Sequence, residues 1–272
     1  MTTNYDNYAV PIINLPFYYI TGGQISADAT SPTTVVDVAA CQCRDSTNTY
    51  DMNLGNFNGE TNESATANTA TLINSAVVGF NGIDTGTLGI SKVYNVFVVS
   101  DPVSGNPSGA MISLNAPSVG PLMPYGYSAF RHIGYVVTGS GSTFLLSYNS
   151  GNQNARIFWY DAPISVGTTA SEAAYTAINL TKFVPLVNNI PVYLNASIIG
   201  GSAGDTLKLQ PGNGTGDAVT IVAAATTYAF EQQVLVIAQN TTISSVLSPT
   251  INYKNSGTDT VAILVSGFQY YI

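Results

Sequence analysis

The chain has 272 residues, 45% of them apolar and only 8% charged, and 15 acidic against 7 basic side chains leave a net charge of −8. That length suits one large domain or two small ones with a buried core. The apolar content excludes disorder, and the shortage of cations excludes a nucleic-acid partner, since phosphate binding depends on displacing counterions.

No run of about 18 apolar residues occurs, so no membrane insertion is expected. Residues 1–8 show no basic stretch leading into an apolar one, so no secretory leader is expected either. Hydration of the surface falls instead to Asn, Thr, Ser and Gly, as in Asn62-Glu63-Ser64-Ala65-Thr66-Ala67-Asn68-Thr69. Such side chains compete with the backbone for hydrogen bonds and are poor in helix interiors. Thr, Val, Ile and Tyr favour strands. A surface of hydroxyls and amides also costs less to desolvate against a neighbour than one of ammonium groups. The composition therefore predicts a rigid all-β protein suited to an assembly.

In chain order, residues 1–24 read as an extended N-terminal arm. Its apolar part carries Ile12, Ile13, Leu15, Phe17, Tyr18 and Tyr19, with Pro11 and Pro16 restricting it to an edge strand or an extended segment. So many aromatics predict that the arm lies on its own body or on a neighbouring subunit.

Residues 25–165 read as an antiparallel β-domain. Strands are predicted at 33–39, 71–78, 93–100, 110–115, 132–138, 143–148 and 155–160. Turn signals at Gly139-Ser140-Gly141-Ser142 and Asn149-Ser150-Gly151-Asn152 make 132–160 a set of consecutive antiparallel strands. The small polar stretch 165–175 predicts a domain boundary. Residues 176–272 then show strand signals at 175–180, 192–199, 205–209, 218–223, 234–238, 250–253 and 261–271. This spacing predicts a jelly-roll-like β-sandwich with its last strand tied into a sheet. No collagen or heptad repeat marks a fibrous shaft.

Residues with catalytic potential are few. His132 is the lone histidine, with no nucleophile motif around it. Cys41 and Cys43 would share one face of a strand, too close for an unstrained disulfide and too few for zinc, and read as buried free thiols. Asp37, Asp45, Asp51, Asp84 and Asp161 show no spacing that singles out a glycosidase pair. Gly212-Asn213-Gly214-Thr215-Gly216-Asp217 lacks the Lys-Ser/Thr and helix of a phosphate loop and reads as a hairpin turn. No catalytic residue, metal site or cofactor is expected, and the chain reads as a non-enzyme.

Cys43-Arg44-Asp45-Ser46-Thr47-Asn48-Thr49-Tyr50-Asp51 concentrates rare charges in a short block. Arg44, Asp45 and Asp51 form a predicted polar knot, in which Arg44 pairs with a carboxylate and Ser46, Thr47 and Asn48 satisfy turn groups.

The same block resembles one found in structural proteins of tailed bacteriophages. The resemblance continues through 82–88, 94–99, 122–127, 130–134 and 154–163. It covers residues 10–165 closely and the C-terminal part more loosely. It implies a phage-particle component without fixing its place in the particle, and supplies no catalytic residues. The unpaired cysteines and the lack of a leader signal suit folding in the bacterial cytoplasm, and an acidic, compact β-domain suits the virion exterior. Expected partners are capsid or tail proteins of the same particle and further copies of the chain, with a homotrimer favoured. The leading expectation is a capsid decoration or fibre component docked through its N-terminal arm. The alternative is a receptor-binding tail protein whose C-terminal sandwich recognises host glycan through Tyr193, Tyr228, Tyr253, Tyr270 and Tyr271.

Overall fold

The computed structural model describes residues 9–11, 16–55, 69–151, 155–170, 172–199, 201–215, 219–224, 229–243, 246–256 and 260–272. All regular structure among them is β, and the pairings with a defined register between its strands are antiparallel. Among the described residues, no helix is long and apolar enough to cross a membrane. The chain divides into two compact units, Met1–Arg156 with Tyr271–Ile272, and Ile157–Tyr270.

The first unit contains β1 (Ala9–Pro11), β2 (Ile20–Gly22), β3 (Ile25–Ala27), β4 (Val35–Ala39), β5 (Cys41–Arg44) and β6 (Tyr50–Leu54). It continues with β7 (Thr69–Asn74), β8 (Val93–Ser100), β9 (Gly109–Ser113), β10 (Ala129–Val137) and β11 (Ser147–Gly151). They form the ladders β1-β6-β5-β2, β11-β3-β4-β7 and β10-β8-β9. β2 with β3, and β4 with β5, are two halves of a sharply bent hairpin, so the chain leaves one sheet and enters the next at Gly22-Gly23 opposite Ala40. Both glycines take positive φ, 71° and 65°, which an L side chain resists.

Alternation sends Val36, Val38, Cys41 and Cys43 inward, where they meet Met52, Leu54, Ile73, Val96, Val98, Ile112 and Ile133 in one core. β8 is buried on both faces. Its Phe97 and Val99 join Met111 in a second small cluster covered by Phe80, Met123, Tyr127 and Phe130. This explains why 93–100 reads as a near-continuous apolar run rather than an alternating one.

The second unit is built from β12 (Ala155–Ala170, entering from Ile157), β13 (Thr176–Asn179), β14 (Ile190–Ile199), β15 (Thr206–Pro211), β16 (Val219–Val222), β17 (Phe230–Ile243), β18 (Val246–Asn255) and β19 (Thr260–Tyr271). The strand orders are β12-β19-β14-β17 and β13-β18-β15-β16. The first strand thus lies beside the last, the second beside the second to last, and each later pair nests within. This is the eight-stranded jelly roll. The second half of β17 turns away from β14 and pairs with β18, from Gln239↔Thr250 to Ile243↔Val246, joining the two sheets at that edge. Strict alternation in β14 buries Ile190, Val192, Leu194, Ala196 and Ile198 against Leu207, Leu209, Ile221 and Val236. Phe158 and Phe268 stack at 4.8 Å within the same core.

The jelly-roll expectation therefore holds, while several boundaries move. The predicted break at 165–175 falls instead at 156/157, because 155–170 is one strand. Small polar residues such as Thr168 and Thr169 suit a strand as well as a linker. Residues 132–160 pair consecutively only in part. β11 lies beside β12 as expected, and the end of β10 meets 143–145 through the antiparallel Thr138↔Phe144 bridge, but the ladder partner of β10 is β8, and Asn149–Gly151 lies inside β11 rather than in a turn. The ladder partner of β10 precedes it by some thirty residues, a choice that local turn signals do not encode. β5 and β6 carry no β-branched run and escape a propensity reading.

Candidate functional site

The Arg44 block folds as the turn between β5 and β6, and Asp45 organises it. Its Oδ1 accepts from the backbone N–H of Thr49 and of Tyr50, at 2.6 and 2.7 Å. Its Oδ2 accepts from the Thr47 N–H at 3.1 Å and from the Thr47 hydroxyl. This corrects the expected division of labour, since the buried carboxylate satisfies the turn rather than Ser46, Thr47 and Asn48 satisfying it. A carboxylate offers about four lone-pair sites against a hydroxyl's two, enough for all the donors that meet Asp45. Arg44 Nη2 donates to the Asn48 carbonyl at 2.7 Å. Arg44 also stands opposite Asp51 in the β5–β6 register. Burial raises the Asp51 carboxyl and the Arg44 charge draws it back down.

Arg44, Arg131 and Arg156 are the chain's only arginines, and all three hold the segment 17–23. Arg44 lies over the Phe17 ring at 5.2 Å. Arg131 lies over the Tyr18 ring at 5.7 Å and donates to the Tyr18 carbonyl at 3.2 Å. Arg156 donates to the carbonyls of Gly22, Gly23 and Ile133. Tyr18, at φ 60°, also donates its N–H to Asn48 Oδ1 at 2.7 Å, and Tyr19 O receives the Arg44 N–H. The described part of the arm therefore lies on its own body, with β1 as the edge strand of its sheet. Phe17 and Tyr18 keep exposed faces, and Ile12, Ile13 and Leu15 lie outside the described residues.

Beside this segment opens a cavity of about 280 Å³, whose lining includes Arg131, His132, Tyr18, Tyr271, Ser46 and Ser118. Ser46 uses its backbone N–H on the Phe130 carbonyl. His132 packs edge-on against Phe97 and Tyr135, at 5.5 and 4.9 Å. Burial lowers its pKa to about 3, and the charges of Arg131 and Arg156 act in the same direction. It is neutral at physiological pH and its Nε2 is buried without a hydrogen-bond partner. Sequence reasoning passed over this site. The signal available was the scarcity of arginine combined with Arg131 sitting next to the single histidine in an apolar strand.

The remaining candidates are dispersed. Asp84 accepts the Leu122 N–H, and Asp161 is exposed on β12. No group of three His, Cys, Asp or Glu converges among the described residues. Cys41 and Cys43 are buried free thiols on one face of β5. A hydrogen bond with Cys41, together with burial, pushes the Cys43 thiol up. Gly212–Thr215 forms the β15–β16 turn, with Asn213 Oδ1 accepting the Thr215 N–H.

The tyrosines proposed to meet glycan require correction. Tyr253 and Tyr270 face inward on β18 and β19 and are 3% exposed. Tyr193 is half-buried against Trp159 at 4.7 Å. Tyr228 lies outside the described residues, so Tyr271, 69% exposed, is the one openly accessible member of that set among those described. The others follow the common fate of strand aromatics, which is packing.

No protein-family model matches the chain, and no curated protein matches it. Among solved structures, it has distant likenesses to infectious bursal disease virus. The crystal structure of that virus's VP2 subviral particle aligns with a TM-score of 0.23 at 10% identity, covering 97% of this chain and 74% of that one. The structure of its Gx strain aligns with a TM-score of 0.21 at 11% identity, covering 97% and 69%. Similarity this low supports no argument about function.

Proposed function

We propose that the chain is a non-enzymatic structural component of a virus particle, of the tailed-bacteriophage kind that the Cys43–Asp51 block resembles. The observation that carries this reading is the complete jelly-roll strand order of residues 157–270, an architecture used repeatedly in capsid and lectin domains. Fold alone assigns no function, so the reading also leans on the charge-poor, hydroxyl- and amide-rich composition. Both belong to a rigid module built to be fastened to neighbours.

Within the particle, the reading is an external decoration or fibre subunit, assembled as a homotrimer. Phe17, 74% exposed, is the arm residue placed to meet a capsid or tail neighbour. The glycan-receptor alternative through residues 176–272 loses its main support, because Tyr253 and Tyr270 are core residues.

The test is particle membership. Gradient-purified virions should contain the chain in fixed stoichiometry, and Phe17→Ser should strongly reduce incorporation while costing no more stability than its exposed contact with Arg44, about 0.5–1 kcal/mol. Recovery of the chain solely in the soluble lysate fraction would refute the proposal. A monomeric mass in solution would refute the trimer.

A further inference from the structure

The cavity beside the N-terminal segment carries an inference that stands apart from particle membership. Arg131 is 7% exposed, yet its polar contacts among the described residues are the Tyr18 carbonyl and the Tyr18 ring. Asp45, the carboxylate that its charge senses, is committed to the Thr47, Thr49 and Tyr50 donors. A buried guanidinium without a carboxylate partner is costly, and the cost falls when an anion occupies the space before it. Burial lowers the Arg131 pKa, the mark of a charge short of solvation, and neutral His132 beside it adds no second cation.

The rest of the lining narrows the ligand class. Tyr18 and Tyr271 line the cavity and are 62% and 69% exposed, which leaves aromatic surface within reach of a bound ring. Ser46 and Ser118 add hydroxyls that both donate and accept. One guanidinium fork matches one carboxylate. A dianionic phosphate calls for more cations or a cluster of backbone N–H groups, and the Ser46 N–H is already engaged. The volume is just under the range of ordinary ligand pockets and suits a single small ring.

We infer that this cavity binds a small organic carboxylate of monosaccharide size, the carboxylate on Arg131 and the ring between Tyr18 and Tyr271, as a uronic acid would present them. Neutral His132 forms the wall and leaves Arg131 as the sole cation of the lining.

The experiment titrates the full chain with sodium glucuronate, glucose and inorganic phosphate, using calorimetry and saturation-transfer NMR. Glucuronate should bind at least tenfold more tightly than glucose or phosphate. Arg131→Gln should abolish that preference. Ser118→Trp, at an exposed loop position, should block binding by filling the cavity, and decides the matter if Arg131→Gln does not fold. Equal binding of glucuronate and glucose, a preference for phosphate, or full binding by Ser118→Trp would overturn the inference. None of these readouts depends on whether the chain is found in a particle.

Discussion

Arg156 donates a hydrogen bond to the carbonyl oxygen of Gly23 at 2.6 Å, across 133 positions of sequence. The same guanidinium reaches Gly22 and Ile133, so one flat fork closes the corner where two sheets of the first unit part. Lysine, a point charge on a flexible stem, cannot hold three carbonyls in that geometry. Arg156→Lys should lose about 2–4 kcal/mol of stability, read from the urea midpoint by circular dichroism. An unchanged midpoint would remove Arg156 from this role.

Gly22 bends the hairpin with φ at +71°, and a Cβ there would overlap the carbonyl oxygen of Ala40. Both partners are backbone, so neither can rotate away. Gly22→Ala should cost at least about 2 kcal/mol, whereas Gly204→Ala, at positive φ in open space, should cost less. Thermal melts of the two variants side by side check the ordering.

Burial holds the folded His132 pKa at about 3, against the ordinary histidine value of 6.5. The unfolded chain takes up a proton that the folded chain refuses. Stability should therefore be fully present above pH 6.5 and fall as the pH drops toward 3, by an amount on the order of 4 kcal/mol. Asp51, whose pKa is raised by burial, contributes with the opposite sign and partly offsets this loss. His132→Phe keeps an aromatic ring beside Phe97 and Tyr135. Its stability should fall less than the wild type's between pH 6.5 and 5, which paired denaturation curves would reveal.

Cys41 and Cys43 are both fully buried, and the Cys43 thiol is held in its protonated form. Reactivity requires thiolate and access. Native protein should therefore resist a thiol-specific reagent that labels both residues in denaturant. Rapid labelling of folded protein would contradict the packing of β5.

Much of the fold was legible because strand signals are local. Val93–Ser100 reads as a strand from its β-branched and aromatic run, and it is one. The alternation of Thr206–Gln210 places Leu207 and Leu209 on one face, and both are buried. The candidate site was less legible. Asp45 and Asp51 stood out as rare charges, but the donors Asp45 binds are backbone groups of a turn, and backbone donors have no letter in the sequence. Tyr253, Tyr270 and Tyr271 look alike in one dimension, and only Tyr271 faces water.

The residue string by itself determined an all-β chain with a polar surface of hydroxyls and amides, because pleat periodicity and side-chain solvation act over a few neighbouring positions. Tertiary structure alone decided which strands pair, and that Arg44, Arg131 and Arg156 converge on residues 17–23. Those contacts join positions as far apart as Gly23 and Arg156. Their free energy exists only once the two sheets have closed, so no local pattern could announce them.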